Sequence, residues 1–172
     1  MSDIVVRRAV PTDAPGLWAL SRAAILTSAA EHYTEAQLQS WAGRPTLERH
    51  RLMIESTTVL VAELDGRIAG FTNLVVDDGA IVSDGEVDQL FVEPNAGGRG
   101  VARALLEAIA EEGLTEGLSE LNARASWRAV GVFERLGYQR VTVEHVEFDG
   151  EVYGRVHVRR LLAPSGGLRD VS

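Results

Sequence analysis

The chain of 172 residues has no cysteine and no lysine, and all 17 of its basic residues are arginine. The first absence excludes disulfides, thiolate metal sites and cysteine acyl intermediates, and the second excludes Schiff-base chemistry. The four histidines, His32, His50, His145 and His157, are scattered without ligand spacing, so no metal is implied. No apolar run approaches the roughly 18 residues of a membrane span, and no charged-then-apolar segment opens the chain. A soluble cytoplasmic protein is the expectation. Cations are also short in number, 17 against 25 carboxylates for a formal charge of −8. Phosphate neutralisation needs clustered cations, and these arginines are spread out, which argues against nucleic acid as a partner. An acidic balance suits a cationic or amine ligand, and it is equally what an ordinary soluble surface looks like.

What is present is globular: 45% apolar and 24% charged residues in a length that suits one domain over residues 1–162. The last stretch, Ala163 to Ser172 (APSGGLRDVS), is too polar and glycine-rich to order itself. Ile4 to Val10 reads as a strand, and a helix follows with Thr12 or Asp13 as its cap and Pro15 in its first turn. TEAQLQSWAG reads as a second helix, with Thr34 as N-cap, Gln37 at the capping-box position and Gly43 as a stop. Leu47 to Ile54 is a third. Thr57 to Leu64, the Asp65-Gly66 turn and Arg67 to Val76 form a hairpin, which Asp77-Asp78-Gly79 ends. Another strand lies near Leu118 to Ala125. Tyr138 to Phe148, Asp149-Gly150 and Glu151 to Leu162 make a closing hairpin. Early helices, strands throughout and one central strand-loop-helix predict an α/β (α+β) fold around a mixed sheet flanked by helices.

The central unit runs from Glu86 to Glu112, EVDQLFVEPNAGGRGVARALLEAIAEE. Apolar residues at Val87, Leu90, Phe91 and Val92 give a strand, Pro94 and Asn95 break it, and Val101, Leu105, Ala108 and Ile109 mark one face of a helix. Between them, Gly97, Gly98 and Gly100 let a ligand approach the backbone, and the helix N-terminus supplies unpaired N–H groups and the positive dipole end. Such a site suits phosphate, and Arg99 and Arg103 add two cations that favour several phosphate charges. The spacing fits neither the GxxxxGKS/T of a P-loop nor the GxGxxG of a dinucleotide fold. A glycine-rich turn before a helix is also commonly only a turn, and the loop chemistry alone leaves both readings open.

Gly97-Gly98-Arg99-Gly100-Val101-Ala102, preceded by Leu90-Phe91-Val92-Glu93-Pro94, resembles the acyl-CoA pyrophosphate loop of the GNAT N-acetyltransferase superfamily, Gln/Arg-x-x-Gly-x-Gly/Ala. Gly97 departs from it, because the family usually has Gln or Arg there. The segment from Ser126 to Tyr138 resembles the second family signature, Asn-x-x-Ala-x-x-x-Tyr-Glu-x-x-Gly-Phe. The resemblance covers roughly residues 4–162, and it implies the GNAT fold, with its mixed, largely antiparallel central sheet, and transfer of acetyl from acetyl-CoA to a primary amine by direct attack. The absence of cysteine agrees with a mechanism that forms no acyl-enzyme.

The resemblance also assigns roles. Glu86 and Asp88, two apart on one strand and so expected on one face, are the candidate bases by spacing, and the resemblance favours Glu86, where some members carry their general base; side by side the two raise one carboxyl pKa, and otherwise they are a solvated acidic strand end. The backbone at Leu90, Phe91 and Val92 corresponds to the segment that pairs with pantetheine and polarises the acetyl carbonyl. Gly97 through Arg103, including Val101 and Ala102, would hold the pyrophosphate. Ser126 stands where the family has a CoA-contacting Asn, and it also suits the N-cap of the following helix. Phe133 stands where many members place the Tyr that protonates the departing thiolate. Phenylalanine has no proton to give, although a subgroup of small bacterial members resembles this chain in carrying Phe there. Water, Ser126 or a Tyr is left for that task. Tyr138 reads as core with a satisfied hydroxyl. Tyr33 and Trp41 on the early helices are either acceptor-pocket residues or packing. The acceptor is a small-molecule or peptide amine of open identity, and a homodimer is left open. The rival reading, a non-catalytic acyl-CoA-binding or regulatory module, rests on Phe133 and Gly97.

Overall fold

The computed structural model describes residues 3–76 and 84–163. The Asp77-Asp78-Gly79 turn, and all but the first residue of the tail from Ala163 to Ser172, lie outside the described residues. Seven strands, β1 (Ile4–Arg8), β2 (Thr58–Leu64), β3 (Arg67–Val76), β4 (Asp84–Val92), β5 (Glu120–Ser126), β6 (Gln139–Phe148) and β7 (Glu151–Leu161), form one sheet in the order β1-β2-β3-β4-β5-β7-β6. Every neighbouring pair is antiparallel except β4 and β5, so the mixed, largely antiparallel sheet expected from the sequence is the sheet found.

Both hairpins form at their Asp-Gly pairs. Asp65 and Gly66 have φ of 53° and 76°, and Asp149 and Gly150 have 52° and 75°. Two successive positive φ values are what a two-residue turn matched to strand twist requires.

Among the described residues five α-helices cover the sheet: α1 (Ala14–Ser28), α2 (Glu35–Gly43), α3 (Leu47–Ser56), α4 (Val101–Thr115) and α5 (Val130–Arg135). α4 lies on one face, where Val101, Leu105, Leu106 and Ile109 are at most 1% exposed and pack with Leu60, Ala62, Leu74, Val87 and Leu121. Each of those four side chains contributes about 1.5–3 kcal/mol of burial. α1 and α3 cover the other face through Leu17, Leu20 and Met53 against Val59, Val61 and Phe71.

The capping box of α2 forms as predicted: Thr34 Oγ1 accepts the Gln37 N–H at 3.2 Å, and Gln37 Oε1 accepts the Thr34 N–H at 2.8 Å. The same segment is tied to β7, where Gln37 Nε2 donates to Val152 O and Tyr153 Oη donates to Gln37 O. Tyr33 and Trp41 are thereby fixed over the sheet.

Four local expectations need correction. Asp13 sits at the N-cap of α1, but its carboxylate makes no cap hydrogen bond to that helix; it accepts instead from Arg7 and from the Val10 N–H at the start of the Pro11–Asp13 3-10 turn, both at 2.8 Å. Gly43 is the last residue of α2 rather than a stop beyond it. Residues 127–129 form a turn, so α5 begins only at Val130, and Ser126 ends β5 with its Oγ accepting the Ala129 N–H at 3.3 Å. Tyr138 is core, yet its hydroxyl is buried without a partner among the described residues and its pKa is pushed up to about 12, chiefly by burial.

The sheet is interrupted at its centre. β4 and β5 pair only from Asp84↔Glu120 to Val87↔Ala123. Beyond that point β4 continues against β3, from Gln89↔Asn73 to Val92↔Gly70, and β5 continues against β7 to Ser126↔Arg155. Where they part, β4 carries a bulge. Leu74 faces Val87 and Asn73 faces Gln89, leaving Asp88 as the extra residue. Two fully buried side chains of β3 take up backbone groups next to it: Asn73 Oδ1 accepts the Gln89 N–H at 2.9 Å and Thr72 Oγ1 donates to Gln89 O at 2.7 Å.

Candidate functional site

The opening between β4 and β5 leads into two cavities. The larger, of about 680 Å³, runs along Leu90, Phe91 and Val92 to the glycine loop and the first turn of α4, with residues of the 127–129 turn and α5 as its other wall. The smaller, of about 320 Å³, lies between α2, the start of α3 and the sheet, and includes Asp88, Gln89, Arg124 and Tyr153. Trp41, Phe91 and Ser126 line both, so the cavities meet where the strands diverge.

Gly98 and Gly100 have φ of 75° and 85°, a region that costs an L residue about 1–2 kcal/mol. A Cβ on Gly98 would meet nothing within 4 Å and one on Gly100 would come no closer than 3.8 Å to Ile4, so the loop's bare side is open to a ligand. Gly100 is the N-cap of α4, and its carbonyl takes the Ala104 N–H. The N–H groups of Val101, Ala102 and Arg103 precede the first intrahelical bond and carry the positive end of a 15-residue helix. This cradle fits a pyrophosphate.

Its arginines are already engaged: Arg99 pairs with Asp65 at 3.5 Å and Arg103 with Glu107 at 2.9 Å. These side chains are exposed, and such pairs hold by at most about 1 kcal/mol, so a phosphate competes for the arginines easily. Sequence reasoning missed two further cations of the groove, Arg128 and Arg135. Both sit inside the second signature, and noting basic residues on that segment would have found them.

Phe133 takes a place different from the one the resemblance suggests. Its ring is 3% exposed and packs edge-on to Tyr138 with centroids 5.0 Å apart, while Gly131 and Val132 of the same helix face the groove. Position 133 belongs to the core.

The two carboxylates of β4 divide. Glu86 Oε2 accepts from Arg124 Nη1 at 3.1 Å and is half-buried, whereas Asp88 is exposed and, unlike Glu86, lines the smaller cavity. Burial holds the Glu86 carboxyl above its usual pKa; the Arg124 charge pulls it down and the Asp88 charge pushes it up. Arg124 also meets Glu144 at 3.6 Å, and Glu144 meets Arg155 at 3.0 Å, so alternating charges run across β4, β5, β6 and β7. None of these partners was visible in the sequence, since they come together only through the strand order.

Tyr33 and Trp41 both line the smaller cavity, their rings edge-on at 5.5 Å. Tyr33 Oη donates to Gly154 O and accepts the Trp127 N–H, each at 3.3 Å, and burial raises its pKa. The indole of Trp127 lies against the bare backbone of Gly154, where a Cβ would come within 2.7 Å of Nε1.

A split sheet with a glycine-cradled helix N-terminus beside the split defines a class, and comparison with known proteins gives the same one. Residues 29–153 match the acetyltransferase (GNAT) domain family. YafP of Escherichia coli (strain K12), an uncharacterised N-acetyltransferase, is 31% identical over 159 residues, covering 92% of this chain and 97% of that protein. A GCN5-related N-acetyltransferase from Rhodopseudomonas palustris superposes with a TM-score of 0.84 at 27% identity, covering 94% and 98% of the two chains. PaiA N-acetyltransferase from Thermoplasma acidophilum, solved in complex with coenzyme A, shares the fold at a TM-score of 0.75 and 18% identity, covering 92% and 99%.

The chain belongs to the GNAT acetyltransferase family and is an N-acetyltransferase.

Among the described residues no helix is long and apolar enough to cross a membrane.

Proposed function

We propose that this cytoplasmic enzyme moves acetyl from acetyl-CoA to a primary amine in a ternary complex, the amine attacking the thioester carbonyl and the thiol leaving. The observation that carries the reading is the meeting of the two cavities at Trp41, Phe91 and Ser126. A donor in the larger cavity and an acceptor in the smaller one have their reactive ends together there, which is what direct transfer requires.

Gly97 to Arg103 hold the pyrophosphate through backbone N–H groups, and the backbone of Leu90 to Val92, at the parted edge of β4, aligns the pantetheine and polarises the acetyl carbonyl. Asp88 sits in the acceptor cavity, and Glu86, with its raised pKa, stands behind it on the same strand. Together they take the proton that the amine must lose. Ser126 lines both cavities, and its hydroxyl hydrogen-bonds the departing sulfur; a thiol of pKa about 8.5 leaves as the thiolate with little help and takes its proton from water. Phe133 takes no part from inside the core. Its missing hydroxyl therefore does not favour a non-catalytic module, and the chain goes with the family members that carry Phe at this position.

Initial rates varied against both substrates should give intersecting lines. Parallel lines, or acetyl label remaining on the protein after exposure to acetyl-CoA alone, would overturn direct transfer. Gly100→Glu, which puts a carboxylate against the pyrophosphate, should abolish acetyl-CoA binding by calorimetry; unchanged binding in the folded variant would move the donor site elsewhere.

A further inference from the structure

The molecule as a whole and its acceptor cavity have opposite charge. The formal charge is −8, which taken alone favours cationic acceptors. The smaller cavity is lined by four arginines, Arg44, Arg49, Arg124 and Arg155, and by one carboxylate, Asp88. Arg124 and Arg155 are balanced by Glu86 and Glu144. Arg44 and Arg49 are not: the Arg44 guanidinium lies over the Phe148 ring at 3.7 Å from its centre, and Arg49 donates to the Arg44 carbonyl at 3.3 Å. Among the described residues neither meets a carboxylate. With Asp88 counted, the cavity and its balancing acids keep a surplus of one positive charge.

A second observation points to the other half of a ligand. Gln89 lines the same cavity, and its Oε1 is buried with no hydrogen-bond partner among the described residues. A carbonyl oxygen can only accept. Left unmade, that bond costs about 1–3 kcal/mol; the oxygen is closed to solvent, and a turn of the Gln89 side chain towards the cavity lets an N–H of the acceptor satisfy it. Asp88 stands next to it as a second acceptor of N–H groups.

We propose that the acceptor is a small amine that also carries an anionic group, a carboxylate or phosphonate, with the anion held by Arg44 and Arg49 and the amino group by Asp88 and Gln89. This rests on the assignment of the smaller cavity to the acceptor, and it narrows that assignment from amines in general to amino acids and their close analogues. A planar guanidinium fork matches either oxyanion, and the volume of about 320 Å³ suits a molecule of that size. An amine without the anion would leave two cations uncompensated on binding, and a site built to pair a polar group rejects analogues that lack it.

Matched acceptors test this: an amino acid, the amine left when its carboxylate is removed, and the corresponding aminophosphonate. Binding is read by calorimetry on the full chain saturated with CoA, and turnover by thiol release. The expected result is kcat/KM at least tenfold higher for an anionic member than for its uncharged counterpart. Arg49→Gln and Arg44→Gln should each raise the KM for that anionic acceptor at least tenfold while leaving acetyl-CoA affinity as it was. Arg49 is exposed and far less tied to packing than Arg44, so its variant keeps the test clear of misfolding. Preference for either the carboxylate or the phosphonate supports the proposal and tells which anion the pair holds. Decarboxylated amines bound or acetylated as well as their anionic partners would overturn it, as would failure of every anionic amine to bind a chain that binds acetyl-CoA. Failure to bind acetyl-CoA at all would instead refute the donor site.

Discussion

Gly97 offers a direct way to ask whether the loop holds a pyrophosphate. It stands where the family pattern has Gln or Arg, yet nothing in its geometry demands glycine. Its φ of −59° and ψ of 141° are open to any residue, and a Cβ there would lie 3.7 Å from Pro94 O, an ordinary contact. Gly97→Arg should therefore fold without strain, and loss of chain freedom in the unfolded state should add about 0.4–1 kcal/mol of stability. In the complex, a charge-assisted hydrogen bond is worth about 1.5–3 kcal/mol, and ordering the arginine side chain costs up to about 2. A net gain of about 1 kcal/mol tightens acetyl-CoA roughly fivefold. Calorimetry at low and moderate salt reads this, with acetyl-pantetheine, which has no pyrophosphate, as the control that should gain nothing. Gly98→Arg makes the contrast, since its φ of 75° should cost about 1–2 kcal/mol of stability. If Gly97→Arg folds and binds acetyl-CoA no tighter than the parent, or if acetyl-pantetheine gains equally, position 97 does not face the phosphates and the loop assignment fails.

Three more outcomes can be checked. Glu86→Gln should lower kcat/KM roughly 10²-fold and remove the acid limb of the pH profile; because burial raises the Glu86 pKa, that limb in the parent should lie above the ordinary carboxylate value of about 4.3. An unchanged profile would pass the role to Asp88 or to water. Phe133→Tyr should cost about 1–3 kcal/mol in urea unfolding, since it adds a hydroxyl to a buried ring packed against Tyr138, and should change kcat/KM by less than tenfold. A variant as stable as the parent would mean that the new hydroxyl finds a hydrogen-bond partner in the core. Asp13 is held below its usual pKa first of all by its hydrogen bond to Arg7, so its contribution is present above the unfolded value of about 3.9 and lost as pH falls through the folded one. Asp13→Asn should accordingly destabilise by about 1–3 kcal/mol at pH 7, with a gap in Tm that closes towards pH 2; a gap that persists in acid would assign the loss to packing.

The parts of this molecule that were legible in its sequence are those decided within a few residues. Asp-Gly pairs demand positive φ whatever surrounds them, and Thr34 and Gln37 satisfy each other across one helical turn. The glycine loop belongs with these, because three glycines before an amphipathic helix are local. What stayed hidden was decided at a distance. The bulge at Asp88 depends on Thr72 and Asn73, side chains of another strand whose burial gives them no local signal. The positive cavity gathers arginines from the end of α2, from α3, from β5 and from β7, and no window of sequence holds more than two of them. Charge counted over the whole chain pointed the wrong way about that cavity. Position 133 matched a family signature, but which face of α5 it occupies depends on a helix that starts later than the signature suggests.

Unpaired strand edges normally sit at the rim of a sheet, where they invite other chains to add on and must be blunted by charge or shortness. Here one functional edge is placed inside the sheet, where β4 and β5 part, with helices covering both faces. No second protein can reach it as a strand, because its neighbour on the far side is already fixed a few residues away. A thin, extended molecule can. The bulge held by Thr72 and Asn73 thus acts as a filter on shape before any side chain is consulted: it admits a ligand one strand wide and excludes polypeptide sheets.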